Sequence, residues 1–424
     1  MNESNSELEA LLKVGVDGPA VNASRKRQQH PTGWEPIQIG ERGGYITTPP
    51  QSEPPTDWNA FLLELLPPGM DASQFEVDGS TVEMRAWDGN VGGGELKRFY
   101  YFKARIRRKT FVVGQDLEEI ISVAKKAKIP KLKSAAVSDR VYWLHVTDLQ
   151  AGQGDGDSVD GLVKRALELP KLVVSDLEML SKSGRPASKI FVPITGDLVE
   201  GISGWYEMQQ FATKLDRRDQ VKLVRRLLSE ILLEMAKTGL PVHVAVVAGN
   251  HGEFRNNGKA FTSLSDNDDV AVVEQVAEAF DLAGIENVTF SFPEQDRLSL
   301  TVEVAGWIVG LTHGHVAKYG NGPEGKILNW FKSMAATRDP IGDSDLLFTG
   351  HYHHPRFQSL IGDTYWIQGG ALCDTSAWFS QSLGLVSDPC VMRGTITPDQ
   401  RAESVMPYFW PRTRPVAESI GKQK

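Results

Sequence analysis

Five short polar clusters occur in a fixed order along this chain of 424 residues, and each directly follows an apolar run. The clusters are Asp148-Leu149-Gln150, Gly196-Asp197-Leu198-Val199-Glu200, Gly249-Asn250-His251-Gly252-Glu253, His313-Gly314-His315 and Gly350-His351-Tyr352-His353. Carboxylates, carboxamides and imidazoles together form a ligand set that suits borderline divalent ions such as Mn²⁺, Fe²⁺ or Zn²⁺. Because no cysteine lies in any cluster, a structural zinc site is disfavoured. The clusters therefore indicate a catalytic metal site.

Buried strands that alternate with helices would have to position these clusters. Apolar runs predict the strands, and segments with helical spacing predict helices between them. The predicted strands cover residues 141–147, 190–194, 242–248, 307–312 and 346–349, and the predicted helices cover residues 159–180, 220–238 and 270–282. This alternation predicts an α/β domain whose functional groups lie beyond the carboxyl ends of the strands. The five clusters are therefore expected to converge at one edge of a sheet.

The order and content of the clusters resemble the motif set of the calcineurin-like metallophosphoesterases, over residues 141 to about 375. The resemblance implies a four-layer α-β-β-α sandwich that carries two divalent metal ions, with Mn²⁺ expected and Fe²⁺ or Zn²⁺ as alternatives. It also implies the metal ligands. Those of the first ion would be Asp148, Gln150 and His353, and those of the second ion would be Asn250, His313 and His351. Asp197 would bind both ions. Most members of the family carry His where this chain has Gln150. A carboxamide oxygen is the weaker donor, so this change should weaken the first ion and favour Mn²⁺.

The same resemblance implies hydrolysis of a phosphodiester bond. A hydroxide that bridges the two ions would attack phosphorus in line, and the ions would clamp the phosphate. The catalytic residue His251 would stand beside the phosphate and donate a proton to the leaving oxygen. Two other functions stay open: a phosphomonoesterase or nucleotide pyrophosphatase, and a non-catalytic scaffold with the same fold. Gln150 keeps the scaffold hypothesis open, whereas a retained His251 speaks against it.

A basic segment with interleaved aromatic residues bears on the substrate. Between Lys97 and Arg140 the chain has 13 Lys and Arg against 4 Asp and Glu, although its net charge is −8. Such a segment could pair with phosphates and stack on bases. The same alternation is also typical of a half-buried strand with one solvated face.

Further resemblances bear on the same question. Within the superfamily the chain looks most like the DNA repair exonucleases of the SbcD type, and more loosely like metallophosphoesterases encoded by bacteriophages of actinobacteria. This likeness implies a DNA exonuclease or endonuclease, which should form a homodimer and work with an ATPase partner.

Composition and local pattern predict the domain organisation. Residues 1–57 are expected to be largely disordered, residues 58–135 to form a small basic α+β accessory module, residues 136–412 to form the catalytic domain, and residues 413–424 to form a flexible tail. Within the module, paired strands are predicted at 75–86 and 97–109, and helices at 58–65 and 116–127. The two cysteines cannot form a disulfide framework, and neither a secretory signal nor a membrane-length apolar stretch is present. We therefore expect a cytoplasmic protein without a membrane role.

Overall fold

The computed structural model describes residues 37–40, 43–49, 75–90, 96–108, 117–130, 138–154, 156–202, 209, 213–256, 258–374 and 386–410. The chain divides into two compact units, one of Met1–Val112 with Ser203–Lys214 and the other of Val113–Ile202 with Leu215–Lys424. Most of the predicted N-terminal segment, the predicted helix at 58–65 and the predicted tail at 413–424 lie outside the described residues.

The first unit contains a four-stranded antiparallel sheet. Its strands are β1 Ile37–Gly40, β2 Gly43–Thr47, β3 Phe75–Asn90 and β4 Leu96–Arg108, and their order is β1-β2-β4-β3. The predicted pairing of the last two strands is confirmed. Strands β1 and β2, however, lie in the segment that was expected to be largely disordered. Strand β2 pairs with β4, and its residue Ile46 is completely buried. Strand β2 is therefore stabilised by a partner about sixty positions away rather than by its local sequence pattern.

A six-stranded sheet in the second unit carries the first three polar clusters. Its strands are β5 Val141–His145, β6 Lys189–Ile194, β7 Val242–Val246, β10 Val288–Ser291, β16 Cys390–Thr397 and β17 Gln400–Phe409. Their order is β10-β7-β6-β5-β16-β17. The first four are parallel to one another, and β16 and β17 continue the sheet in antiparallel fashion.

A five-stranded sheet carries the other two clusters. Its strands are β11 Ser299–Val304, β12 Trp307–Thr312, β13 Leu346–Thr349, β14 Arg356–Ser359 and β15 Tyr365–Gln368. The order is β11-β12-β13-β15-β14, with three parallel strands in the middle and an antiparallel strand at each edge. A separate two-stranded ribbon joins β8 Arg255–Asn256 to β9 Lys259–Ala260.

The two larger sheets of this unit share one hydrophobic core. Trp143 and Phe191 from the six-stranded sheet pack with Val309 and Phe348 from the five-stranded sheet, and all four are buried. The rings of Trp143 and Phe348 meet edge to face, with centroids 5.1 Å apart. A sheet that buries one face in this way needs helices on its other face.

Five helices accompany these sheets in the described part of the chain. They are α1 Leu117–Lys126, α2 Ser158–Lys182, α3 Arg217–Ala236, α4 Asp268–Ala283 and α5 Gly322–Ala336. Helix α3 contacts α2, α4 and strand β7, and α1 contacts α4. Helix α5 places Ile327 and Phe331 against Leu347 and Trp366 of the five-stranded sheet. None of the described helices has the length and apolarity needed to cross a membrane. The predicted α/β class is confirmed.

Candidate metal centre

The five polar clusters come together, but at the edges of two sheets rather than one. His313, which follows β12, places Nε2 2.9 Å from Oδ2 of Asp197, which follows β6. His353, which follows β13, places Nε2 3.2 Å from Oδ1 of Asp148, which follows β5. The backbone N–H of His351 also donates to the Asp148 carboxylate at 3.1 Å, across 203 positions of sequence. The predicted convergence is therefore real, and the loops of both sheets supply it.

The backbone of five predicted ligands adopts a conformation that non-glycine residues rarely use. Their φ angles are 50° at Asp148, 43° at Gln150, 52° at Asp197, 74° at His351 and 57° at His353. They are five of the ten described non-glycine residues with positive φ. Each such residue costs about 1–3 kcal/mol, and this strain concentrates at functional sites. The strained backbone of these loops therefore marks the five predicted ligands as residues of a functional site.

Two motif glycines allow the backbone to approach the carboxylates closely. A Cβ atom at Gly249 would lie 2.2 Å from Oδ1 of Asp197, and one at Gly350 would lie 2.5 Å from Oδ2 of Asp148. Real Cβ atoms do not come this close to a neighbouring atom. The third and fifth clusters therefore need glycine because each packs its backbone against the carboxylate of another cluster.

One group of side chains already has the geometry of a metal site. Asp197, His313 and His351 each place one ligand atom within 4.8 Å of the other two. His313 Nδ1 donates to the carbonyl oxygen of Thr195, so its other ring nitrogen is the one turned to Asp197. Oδ1 of Asn250 is buried and has no hydrogen-bond partner among the described residues. A buried polar atom without a partner costs about 1–3 kcal/mol, and a bound cation would satisfy it.

The electrostatics of the site favour a positive charge at Asp197. Burial lowers the pKa of His313, but the charge and hydrogen bond of Asp197, together with the charge of Asp148 and the hydrogen bond to Thr195, outweigh this effect and raise the pKa to about 9. A proton or a metal ion is thus stabilised between the two side chains. Burial lowers the pKa of His351 to about 3, which keeps this imidazole neutral and able to bind a metal. The donor set and its charge fit a divalent ion.

The second carboxylate, Asp148, has its own partners. Its Oδ2 accepts a hydrogen bond of 2.7 Å from the hydroxyl of Thr147. Burial raises the pKa of Asp148. The neighbouring His353 and His313 together have the larger, opposite effect, so the pKa lies below its usual value and the carboxyl group stays ionised. Asp148 and His353 are therefore paired in the way that two ligands of one ion would be.

Gln150 and His251 lie beside these ligands and contact each other. The carboxamide nitrogen of Gln150 is 3.3 Å from Nε2 of His251, and its oxygen accepts a hydrogen bond of 3.2 Å from the thiol of Cys373. His251 Nδ1 lies 2.8 Å from the carbonyl oxygen of Glu200. Burial lowers the pKa of His251, but the charges of Asp197 and Glu200 outweigh it and raise the value. A raised pKa suits a proton donor.

Asp269, at the start of α4, is a site residue that the sequence analysis missed. Its Oδ2 accepts hydrogen bonds from the backbone N–H groups of Asp197 and Gly249 at 2.8 and 2.9 Å, and its Oδ1 accepts from Leu198 at 2.9 Å. Burial, and then the charge of Asp197, raises the pKa of Asp269 to about 7. This carboxylate ties the second cluster to the third, and the only local signal for it was an acidic helix start.

Comparison with known proteins gives matches among solved structures alone. No protein-family model matches the chain, and no curated protein matches it. One similar structure is Vps29 complexed with zinc from Entamoeba histolytica, at 15% identity and TM-score 0.28, covering 59% of this chain and 84% of that one. Another is a predicted phosphoesterase from Streptococcus pneumoniae, at 12% identity and TM-score 0.25, covering 64% of this chain and 98% of that one. A third is a 5′-nucleotidase from Candida albicans, at 11% identity and TM-score 0.28, covering 64% of this chain and 54% of that one.

Proposed function

We propose that this protein is a metal-dependent phosphoesterase of the calcineurin-like type. The observation that carries the proposal is the site itself, in which two buried carboxylates face imidazoles from a second sheet. Asp197 faces His313 at 2.9 Å and Asp148 faces His353 at 3.2 Å. The nearby carboxamide oxygen of Asn250 is buried without a partner among the described residues. Phosphate-ester hydrolysis is the chemistry that two adjacent divalent ions support best in such a ligand set.

The residues that would hold the metals are the predicted ones. Asp148, Gln150 and His353 are assigned to one ion, Asn250, His313 and His351 to the other, and Asp197 to both. When bound, two divalent ions supply a strong nucleophile at neutral pH and neutralise the charge of the phosphate. We expect Mn²⁺, because carboxylate and carboxamide oxygens accompany the imidazoles.

The proton for the leaving oxygen would come from His251. Its Nδ1 is held by the carbonyl of Glu200, and its backbone N–H donates to Asp197 at 2.8 Å. The ring therefore has a fixed place next to a predicted ligand, and its Nε2, which lies 3.3 Å from the carboxamide nitrogen of Gln150, is the atom that would serve a substrate. A neutral side chain at Asn250 adds no charge that would repel a phosphate.

Replacing His251 is expected to separate proton donation from metal binding. In Mn²⁺-dependent cleavage of a labelled DNA strand, whose alcohol leaving group needs a proton, His251→Ala should lower kcat/KM by about a hundredfold or more. Metal content should not change. His243→Gln is the matched control, because His243 is a partly buried histidine of β7 that pairs with Ser291 at 2.9 Å. Equal cleavage by His251→Ala and the wild type would show that the assigned proton donor is wrong.

For the substrate we propose DNA, and the sheet of the first unit supports this choice. Along β4, Phe102, Ala104 and Ile106 are buried, so the alternate residues share the opposite face. On that face Lys103 Nζ lies 4.3 Å from the ring centre of Tyr45. Trp87 is 41% exposed and its ring lies 6.0 Å from that of Phe99. Exposed aromatic rings beside cations are what single-stranded nucleic acid binds by stacking and charge.

Substitutions on this face are expected to weaken binding of single-stranded DNA by the full-length protein. Trp87→Ala should raise the Kd by about fivefold or more through lost stacking. Lys103→Ala should lower the slope of log Kd against log salt by about one. Arg98→Ala is the control, because Arg98 lies on the other face of β4 and pairs with Asp88 at 2.9 Å. Unchanged binding in both variants, with hydrolysis of 4-nitrophenyl phosphate but not of DNA, would favour a phosphomonoesterase instead.

The predicted homodimer and ATPase partner stay proposals that depend on the resemblance to the DNA repair exonucleases, and the cytoplasmic location stays a proposal that depends on the sequence composition. Sedimentation of the full-length protein at several concentrations would test the dimer directly.

A further inference from the structure

The two most exposed large hydrophobic side chains in the described part of the chain lie in loops of the metal centre. Tyr319 is 84% exposed and Phe261 is 64% exposed, whereas the next such side chain, that of Met84, is 59% exposed. Removing aromatic rings from water is favourable, so two rings that stay in water at a predicted active site indicate a surface for binding. What they bind depends on where they lie and on the charges beside them.

A contact between the third and fourth polar clusters joins the two loops. His315 Nε2 lies 3.5 Å from Oε1 of Glu253. The ring centre of His315 lies 5.4 Å from that of His313 and 6.3 Å from that of His351, which are both predicted ligands of the second ion. The point at which the two loops meet is therefore next to the predicted metal ligands.

Both exposed rings are attached close to this contact. Tyr319 lies four residues beyond the fourth cluster, and its carbonyl oxygen accepts a hydrogen bond of 3.2 Å from Nδ2 of Asn329 in α5. Phe261 lies eight residues beyond the third cluster, but the β8–β9 ribbon turns the chain back. The backbone N–H of Phe261 thus donates at 3.2 Å to the carbonyl oxygen of Phe254, which directly follows that cluster. The two rings therefore flank the same edge of the metal centre.

A lysine accompanies each ring. Lys318 directly precedes Tyr319, Lys259 lies two positions before Phe261, and both lysines are exposed. Lysines pair with phosphates and aromatic rings stack on bases, and this combination binds single-stranded nucleic acid. A base inside a duplex is already stacked on its neighbours, so an unpaired base is the one that presents a free face. The two loops therefore offer the groups that recognise an unpaired nucleotide.

We propose that Tyr319 and Phe261 are specificity-determining residues that stack on unpaired bases next to the hydrolysed phosphate, so that the metal centre acts on single-stranded nucleic acid. Lys318 and Lys259 pair with the flanking phosphates. The inference rests on the proposed function, because it assigns a substrate class to the same site. It does not depend on the sheet of the first unit, since all four residues belong to the second unit.

The test compares two single strands that carry the same phosphates. One is an oligothymidylate, and the other has an abasic tetrahydrofuran analogue at every position. In the Mn²⁺-loaded, full-length protein, Tyr319→Ala and Phe261→Ala should each lower kcat/KM for oligothymidylate by about fivefold or more, mainly through KM. Each should change the value for the abasic strand by less than about twofold, because that strand has no base to stack. Tyr319→Phe keeps the ring and should behave like the wild type.

Leu264→Ala is the matched control for these variants. Leu264 is an exposed apolar residue in the same loop as Phe261, but it has no ring, so its removal should change neither rate. Equal losses on both strands in Tyr319→Ala and Phe261→Ala, or the same selective loss in Leu264→Ala, would overturn the inference. Wild-type protein that hydrolyses the abasic strand as fast as oligothymidylate would also overturn it.

Photo-cross-linking tests the contact without turnover. The Mn²⁺-loaded His251→Ala variant, which should cut slowly, is irradiated with an oligothymidylate in which 5-iodo-2′-deoxyuridine replaces one thymidine. We expect cross-links at Tyr319 or Phe261, located by mass spectrometry. Cross-links at neither residue would overturn the inference and leave the proposed function unaffected. If the wild type hydrolyses no phosphate ester, the proposed function fails, and the cross-links still decide whether the two rings contact a base.

Discussion

Asp197→Ala is expected to abolish metal binding and to slow phosphodiester hydrolysis by at least about a thousandfold. Asp197 is the one side chain predicted to bind both ions, and its carboxylate contacts groups from two other clusters. Oδ2 lies 2.9 Å from His313, and Oδ1 accepts the backbone N–H of His251 at 2.8 Å. Its removal would leave His313 without the negative charge that favours a cation beside it. The other buried carboxylate of the site, Asp148, is not placed to take over both contacts, since it already pairs with His353.

Metal content and thermal unfolding would measure this effect without any substrate. Wild-type protein should gain stability with Mn²⁺, by about 2.7 kcal/mol at a hundred times the Kd, whereas Asp197→Ala should gain none. Asp296→Ala is the matched control, because Asp296 also has a positive φ, 59°, but lies in an exposed loop. A variant of Asp197 that still binds stoichiometric Mn²⁺, or that hydrolyses bis(4-nitrophenyl) phosphate at the wild-type rate, would refute the metal site as assigned here.

Asp269→Ala is expected to destabilise the fold by about 3–5 kcal/mol, although this side chain contacts no substrate. Its two oxygens accept backbone N–H groups of Asp197, Leu198, Val199 and Gly249, at distances between 2.8 and 3.3 Å. Without the carboxylate these buried donors would lose their acceptors. The loops that present Asp197 and Asn250 would then lose the group that joins them, so activity should fall together with stability.

Urea unfolding of the metal-free protein would measure the loss. Asp269→Asn is the informative second variant, because each oxygen of Asp269 accepts at least two donors and a carboxamide offers only one oxygen. Its NH₂ group would face two backbone donors, so Asn should not rescue stability. Asp266→Ala is the control, since Asp266 precedes the same helix but is exposed, and it should change stability by less than about 0.5 kcal/mol. A stable Asp269→Asn variant would show that the hydrogen bonds from the backbone N–H groups to Asp269 contribute little to the stability of the fold.

The sequence by itself determined the secondary structure around the site and the chemical types gathered there. The apolar runs at 141–147, 190–194, 242–248, 307–312 and 346–349 all became strands, and the three helical patterns between them became α2, α3 and α4. These features are local, because burial of one face imposes a period of two or 3.6 on consecutive residues. The polar residues that end each run could therefore be identified as a group.

Only the tertiary structure decided which strands share a sheet and which polar atoms meet. The clusters lie on two sheets that face each other across one core, not on a single edge. Strands β1 and β2 formed in a segment expected to be largely disordered, because β2 pairs with β4, which lies far along the chain, and β1 pairs with β2. The contacts of Asp269 and of Gln150 with Cys373 join positions 72 and 223 residues apart. No local pattern encodes such pairings, because they depend on how whole elements pack, and packing is decided by the chain as a unit.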